Sequence, residues 1–400
     1  MRRFRIGSVF GIPIQLDLTF LLVLPLFAYL IGTSVGPTVD LLNNVWGADL
    51  PVGPLEEGAI RWVMGLAAAL GLFTGVVLHE LGHSFVAIRY GYPISSITLW
   101  LFGGIAQLEE MPEDWKQELQ IAVAGPIVSV ALGALSYLAF VSVPTTTGVG
   151  TAGLKFVLGY LALVNVALAV FNMLPGFPMD GGRVLRALLA SRLPYARATN
   201  IAAEVGKLFA ILLGLFGLFS FNLFLAALAF FIYIGAASEA QTTAMRAAFE
   251  GVEVRDVMTP ADRIDTVDAE MSVAELLELM FRERHTGYPV ERNGDIVGLV
   301  TLGDARAVRE VEREAYRVEE VMTTGLETIT PTASAIDAME RIQSNNVGRL
   351  LVYDGEQFRG ILTRSDLMTA LEIINSDDRF RRGTPTEPSS EVGGRRELDR

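Results

Sequence analysis

What most limits this chain is a series of apolar runs, each long enough to cross a bilayer and all lying before residue 240. A membrane-spanning helix needs roughly 20 predominantly apolar residues. Runs of this kind occur at Leu18–Gly32, Ile60–Ile88, Leu119–Val143, Leu154–Leu174, Ile201–Phe219 and Leu223–Ala237. In lipid a spanning segment must satisfy its backbone polar groups internally, so these runs are expected to be helices. Most of the 51% hydrophobic content and the mean hydropathy of +0.41 belongs to this part. From Gly251 onward the chain reads as a soluble protein. The expected fold is a polytopic α-helical membrane protein with about six transmembrane helices, followed by a cytosolic α/β module. Its divisions are 1–240 for the membrane domain, 241–253 for a linker, 254–313 and 314–375 for two soluble domains, and 376–400 for a disordered tail rich in charge, Pro, Gly and Ser.

Orientation follows from the positive-inside bias. Arg2, Arg3 and Arg5 precede the first run, which places the N-terminus in the cytosol. The Thr33–Ala59 loop carries Asp40, Asp49, Glu56 and Glu57 without a basic residue and belongs outside. Arg89 and Lys116 then fall inside, Thr145–Gly153 outside, and Arg183, Arg186, Arg192 and Arg197 inside. An even number of crossings returns both termini and the soluble module to the cytosol of a multi-pass cell-membrane protein. The basic start resembles a signal peptide, but no small-residue cleavage site follows Gly32, so a retained anchor is expected. Between the second and third runs, Ser95–Leu108 is apolar, contains Gly103-Gly104 and is too short to span. It reads as a re-entrant or interfacial strand-like loop.

Charge and cysteine usage remove several functions. Residues 1–250 hold 13 Lys+Arg against 15 Asp+Glu, and residues 251–400 hold 19 against 30, every basic residue of the second part being Arg. Nucleic-acid binding needs a basic footprint, so no nucleic-acid partner is expected. The absence of Cys excludes disulfides, thiolate metal ligands and a Cys nucleophile.

The soluble part repeats internally. Val257-Met-Thr259 recurs as Val321-Met-Thr323. In each copy a polar turn leads to an amphipathic helix, Ser272–Arg284 or Ser334–Ser344, and then to a short strand, Tyr288–Glu291 or Arg349–Tyr353. A turn at Asn293-Gly294 or Asp354-Gly355 leads to a second strand and a helix start, Gly298–Asp304 or Gly360–Asp366. Two β-α-β-β-α copies would pair about a pseudo-twofold axis.

The chemistry is carried by His79-Glu80-Leu81-Gly82-His83, near the cytosolic end of the second run. Positions i and i+4 share a helix face, so both imidazoles can reach one metal ion. Glu80 stands beside them to take a proton from a water whose pKa zinc draws down to about 7. Two of the chain's three histidines fall in this pattern. The alternative is a polar patch bonding packed helices together, but two His and a Glu at membrane depth are expensive without a functional role.

A catalytic zinc site takes a third protein ligand and keeps one position open. Without Cys, and with His285 in the soluble part, that ligand should be a carboxylate at the right depth. Asp180 is the best candidate, since Pro175 and Pro178 break the helix before it and Gly181-Gly182 allow close backbone approach. Glu109 and Glu110 are rivals, and Asp180 could instead cap a helix over Arg183–Ser191.

With these residues in view, the membrane part resembles the site-2 protease family of intramembrane metalloproteases. The likeness rests on His-Glu-x-x-His in a membrane helix and on Asn172-x-x-Pro175-x-x-Pro178-x-Asp180-Gly181-Gly182. Phe102-Gly103-Gly104, Ala124-Gly125-Pro126 and the stretch Asn165–Arg186 add to it, and it covers roughly residues 1–240. The resemblance implies one catalytic zinc ion, His79, His83 and Asp180 as its ligands, and Glu80 as general base. It also implies cleavage in or near a transmembrane segment of a membrane-anchored protein substrate, within the lipid bilayer. Asn172 matches the family's Asn and would steady the oxyanion or the substrate backbone, unless it serves only as a capping or packing amide. Many relatives carry Asn shortly after Ala-Gly-Pro, where this chain has Ser129. The apolar loop could offer a β-edge to an unwound substrate, in which case Pro at Ile105 should stop cleavage.

The soluble repeat resembles a tandem pair of CBS domains over Val254–Ile374, which implies adenine nucleotide as a regulator bound between the copies. Thr301, Asp304, Thr363 and Asp366 match the family's Thr-x-x-Asp pattern. The hydroxyl would meet phosphate and the carboxylate ribose, although both Asp residues could simply cap helices. A homodimer through the CBS domains is compatible with the resemblance. The rival from another class is a CBS-gated transporter, which would show midplane acidic residues on several helices and paired hydrophobic halves. Here the intramembrane polar groups gather at one zinc-type site.

Overall fold

The computed structural model of the chain describes residues 3–100, 103–108, 112, 114–144 and 148–376. They form two compact units that divide between Thr243 and Ala244.

In the first unit the chain opens with strands β1 (Arg3–Val9) and β2 (Ile12–Asp17). The basic start is therefore an antiparallel hairpin rather than the beginning of an anchor helix. Helix α1 (Phe20–Thr33) bends by 61° into α2 (Val35–Trp46), and a short α3 (Val52–Glu56) follows. At 14 residues α1 is about 21 Å long, short of a full crossing on its own. Much of the expected Thr33–Ala59 loop is thus helical, and the Asn43 amide closes the turn after α2 on both polar atoms of Leu50.

Helix α4 (Ile60–Arg89) is the longest helix among the described residues and leads into β3 (Ile94–Trp100) and β4 (Gly103–Leu108). The short apolar stretch is therefore a strand pair, joined to the hairpin in one sheet of order β1-β2-β3-β4 with β4 at its end. Then come α5 (Trp115–Ser142), α6 (Val149–Asn172), α7 (Asp180–Ala190), α8 (Tyr195–Phe219) and α9 (Leu223–Ala248). Among the described residues five helices, α4, α5, α6, α8 and α9, are long and apolar enough to span, or six spans if the bent α1–α2 pair counts as one. Small residues let these helices approach closely, as in other membrane bundles. A Cβ on Gly82 would lie 2.8 Å from Val128 Cγ2 of α5 and 3.0 Å from the Ala124 carbonyl oxygen. Helix α9 runs on to Ala248, through much of the stretch expected to link the two parts.

The second unit holds the two copies. The first comprises α10 (Val254–Val257), β5 (Thr259–Pro260), β6 (Val267–Asp268), α11 (Val273–Glu283), β7 (Gly287–Arg292), β8 (Asp295–Thr301) and α12 (Leu302–Ala307). The second comprises α13 (Val318–Val321), β9 (Thr328–Ile329), α14 (Ala335–Ser344), β10 (Arg349–Asp354), β11 (Gln357–Thr363) and α15 (Arg364–Ser376). Capping chemistry sets the main helices: Ser272 and Glu275 form a reciprocal capping box on α11, and Ser334 accepts from the Asp337 amide on α14.

The copies exchange their first segments. Strand β5 pairs with β11, while Thr323 and Leu299 exchange backbone hydrogen bonds of 2.9 and 3.0 Å. Val254 of the first copy is buried in the apolar cluster of the second, and Val318 in that of the first. The expected tail falls largely on 377–400, outside the described residues.

Candidate metal centre

The metal-binding geometry starts from α4. One helical turn separates His79 from His83, so both imidazoles leave the same side and are buried at 3% and 4% exposure. Their Nε2 atoms are 3.2 Å apart. Asp180 is the first residue of α7, not its cap, and its Oδ2 lies 3.1 Å from His79 Nε2 and 3.2 Å from His83 Nε2. Among the described residues these three are the group of metal-ligating side chains that could hold one ion. Glu109 and Glu110, the rival carboxylates, lie outside the described residues.

Asp180 gets there because the chain between α6 and α7 is folded tightly. Phe177 and Met179 are buried, and the Phe177–Pro178 peptide bond is cis. Any Cβ on Gly181 would overlap the Leu174 carbonyl, and one on Gly182 would sit 2.5 Å from the Phe177 nitrogen. Only glycine lets the start of α7 press against this turn.

Each imidazole is also held from behind. The Nδ1 of His83 is 2.7 Å from the Ile121 carbonyl oxygen, which can only accept, so the proton sits on Nδ1. If the ring is neutral, that leaves a bare lone pair on Nε2. His79 Nδ1 lies 2.9 Å from Ser129 Oγ. Gly125 completes the cradle, since a Cβ there would overlap His83 Nε2 and come within 2.7 Å of His79 Nε2.

The donor set fits zinc. A tetrahedral ion with bonds of about 2.0–2.1 Å has ligand-to-ligand edges of about 3.3–3.4 Å, and the three edges here measure 3.1, 3.2 and 3.2 Å. A carboxylate oxygen facing a bare imidazole lone pair at that distance repels it unless a cation or proton lies between. Two imidazoles and one carboxylate also leave a fourth position for a reacting group.

Glu80 packs against the sheet. The Cβ of any residue replacing Gly104 on β4 would lie 2.8 Å from Glu80 Cγ. The end strand of the sheet therefore runs past the side chain expected to act as base. Asn172 closes α6 half-buried, eight positions before Asp180, and its amide makes no hydrogen bond among the described residues. It takes no part in the ligand group.

Comparison with known proteins decides the family. The family model described as Peptidase family M50 matches residues 67–152 and 148–213, and the CBS domain model matches 254–310 and 318–373. The chain is 33% identical over 378 residues to the zinc metalloprotease MJ0392 of Methanocaldococcus jannaschii, covering 94% of this chain and 98% of that one. The chain belongs to peptidase family M50. The Bacillus subtilis stage IV sporulation protein FB is 30% identical over 186 residues, 43% of this chain and 60% of that protein. Among solved structures, the site-2 protease from Methanocaldococcus jannaschii is 35% identical with a TM-score of 0.41, covering 60% of this chain and 95% of that one. Membership makes this M50 peptidase a multi-pass zinc-dependent intramembrane endopeptidase with a tandem CBS module, so its substrate is membrane-anchored.

In the CBS module of the M50 peptidase the four candidate residues close on themselves. Asp304 Oδ2 accepts from the Thr301 amide at 2.8 Å and its hydroxyl at 2.6 Å. Asp366 Oδ2 does the same with Thr363, at 2.8 Å for both. Each pair is thus a helix cap. Sequence reasoning missed Arg349, whose guanidinium packs over Gly287 at the matching strand start of the other copy. Burial pushes its pKa below the ordinary arginine value, while Asp304 and Asp366 pull it back up. It also misses Ser129, which in the sequence signals only a departure from the family pattern, and Arg186, which reads there as a loop charge.

Proposed function

We propose that His79, His83 and Asp180 hold one catalytic zinc ion in this peptidase, and that Glu80 is its general base. The observation that carries this reading is the closed triangle of ligand atoms, with edges of 3.1, 3.2 and 3.2 Å, on two buried imidazoles and a partly buried carboxylate drawn from two helices. When bound, zinc supplies Lewis-acid stabilisation of the peptide carbonyl and activation of the attacking water. The Glu80 carboxylate accepts a proton from that water and returns it to the nitrogen of the leaving amine. Ser129 and Ile121 keep the two imidazoles in register while this happens.

The substrate is read as a transmembrane segment cut in or near the bilayer. A helix must lose its internal hydrogen bonds before its carbonyl can be reached, and an extended strand laid along β4 would regain them. Gly104 brings that strand against Glu80. Asn172, whose amide is unbonded among the described residues, is assigned to the substrate backbone or the oxyanion. The CBS pair is read as an adenine-nucleotide sensor using Thr301, Asp304, Thr363 and Asp366, with both termini in the cytosol and dimerisation through the CBS domains. The chain is read as a membrane domain at 1–240, a linker at 241–253 into which α9 extends, and CBS domains at 254–313 and 314–375.

Glu80→Gln in the full-length protein tests the reading. The expected result is about one zinc per chain, as in wild type, with cleavage lost. Membrane proteins that accumulate in cells carrying the variant are then the substrates. Zinc lost together with activity would mean that Glu80 is a ligand, and full activity would end its role as base.

A further inference from the structure

Arg186 is the most completely enclosed charge among the described residues, at 1% exposure. It stands on α7, six residues after Asp180, about 9 Å further along the helix. Its Nε donates to Glu118 Oε1 of α5 at 2.7 Å, and its Nη2 lies 2.5 Å from the same oxygen. Its Nη1 donates to Glu239 Oε1 of α9 at 2.6 Å. The guanidinium lies over the rings of Phe177 and Tyr195, 4.8 Å from each centroid. One side chain therefore binds α7 to α5, α8, α9 and the turn that precedes it.

Energetics argue that this cluster is more than a brace. Two carboxylates share one guanidinium, and Glu118 Oε2 is buried with no partner among the described residues. Buried ion pairs of this kind add little net stability compared with apolar packing. The Arg186 partners Glu118 and Glu239 stand on two of the helices long and apolar enough to span, where ionisable groups mark functional sites. What Arg186 adds is geometry. Glycines at the start of α7 set its close contact with the turn. Arg186 adds ties from further along the helix to α5, α8 and α9, which resist a roll about its axis. A roll of about 20° would carry a side-chain tip about 2 Å sideways, whereas metal–ligand distances hold within about 0.2 Å.

We propose that Arg186 is a positioning residue for hydrolysis. It fixes the rotation of α7 and so holds the Asp180 carboxylate on the His79/His83 pair. The proposal rests on the metal reading given above.

Cobalt(II) substitution in the full-length, detergent-purified protein tests it, because the visible spectrum reports ligand number and identity. Wild type, Asp180→Asn, Arg186→Lys and Glu239→Gln are compared, together with the rate at which a chelator removes the metal. Lysine keeps the charge but cannot span both carboxylates and both rings. The expected spectrum of Arg186→Lys moves toward that of Asp180→Asn, with metal release faster by about tenfold or more. Glu239→Gln should shift the same way by a smaller amount. A wild-type spectrum and release rate in Arg186→Lys would overturn the proposal while leaving the metal reading intact. If Arg186→Lys does not fold, Glu239→Gln decides alone: a shifted spectrum supports the proposal, and an unshifted one overturns it. Wild type that binds no cobalt overturns the metal reading, and this proposal with it.

Discussion

The Ser129 hydroxyl lies 2.9 Å from His79 Nδ1, behind the ring whose other nitrogen faces Asp180. This serine is fully buried on α5. A hydrogen bond at one imidazole nitrogen selects the tautomer and ring angle that present the other to a metal. Ser129→Ala should therefore weaken zinc binding by about 10–100-fold with little change in fold. Chelator competition on the purified protein measures the affinity, and an unchanged value would mean that the hydroxyl only fills space.

Gly125 makes a sterner prediction. Its missing side chain is the space into which both Nε2 atoms point, so even a methyl group there would overlap His83. Gly125→Ala is expected to leave the helices formed and to reduce zinc well below one per chain, as read by elemental analysis alongside circular dichroism. A full complement of zinc in this variant would show that the ion does not sit between these nitrogens.

The sheet can be tested independently of the metal. A Cβ on residue 104 would lie 2.8 Å from Glu80 Cγ and 3.1 Å from Val76 Cγ1. Gly104→Val must then displace either the strand or the Glu80 side chain. A misplacement on the order of 1 Å costs up to about 100-fold in rate. The expected outcome is cleavage slowed by about 10–100-fold with zinc content unchanged, assayed on a transmembrane substrate in reconstituted vesicles.

How much of this was legible depended on the range of the interaction. Apolar length marked α4, α5, α6, α8 and α9 because each satisfies its own backbone. Local capping marked α11, where Ser272 and Glu275 are three residues apart. The hairpin was not legible, since a basic stretch before an apolar run has the composition of an anchor whether it leads straight into a helix or, as here, first pairs Arg3–Val9 with Ile12–Asp17. Asp180 could be nominated by chemistry, yet its partner His79 is 101 positions away and no periodicity connects them. Ser129 and Arg186 were harder still. Their roles come from partners 50 and 68 positions distant, and taken alone each reads as a small polar residue or a solvated charge.

The CBS pair poses a choice that one pair of measurements resolves. Asp304 and Asp366 each accept two hydrogen bonds from their own Thr, so removing either carboxylate should cost about 1 kcal/mol of capping energy whatever else it does. Nucleotide binding adds a separate signature, since a ligand at about 100 times its Kd stabilises the native state by about 2.7 kcal/mol. Asp304→Ala and Asp366→Ala should therefore lower the melting temperature of the full-length protein and also shrink the increase produced by AMP or ATP. Thr301→Ala, which takes away the cap's hydroxyl but keeps the carboxylate, should lower the melting temperature and retain more of that increase. If all three variants lose stability equally and respond to nucleotide as wild type does, the two carboxylates are caps and nothing more.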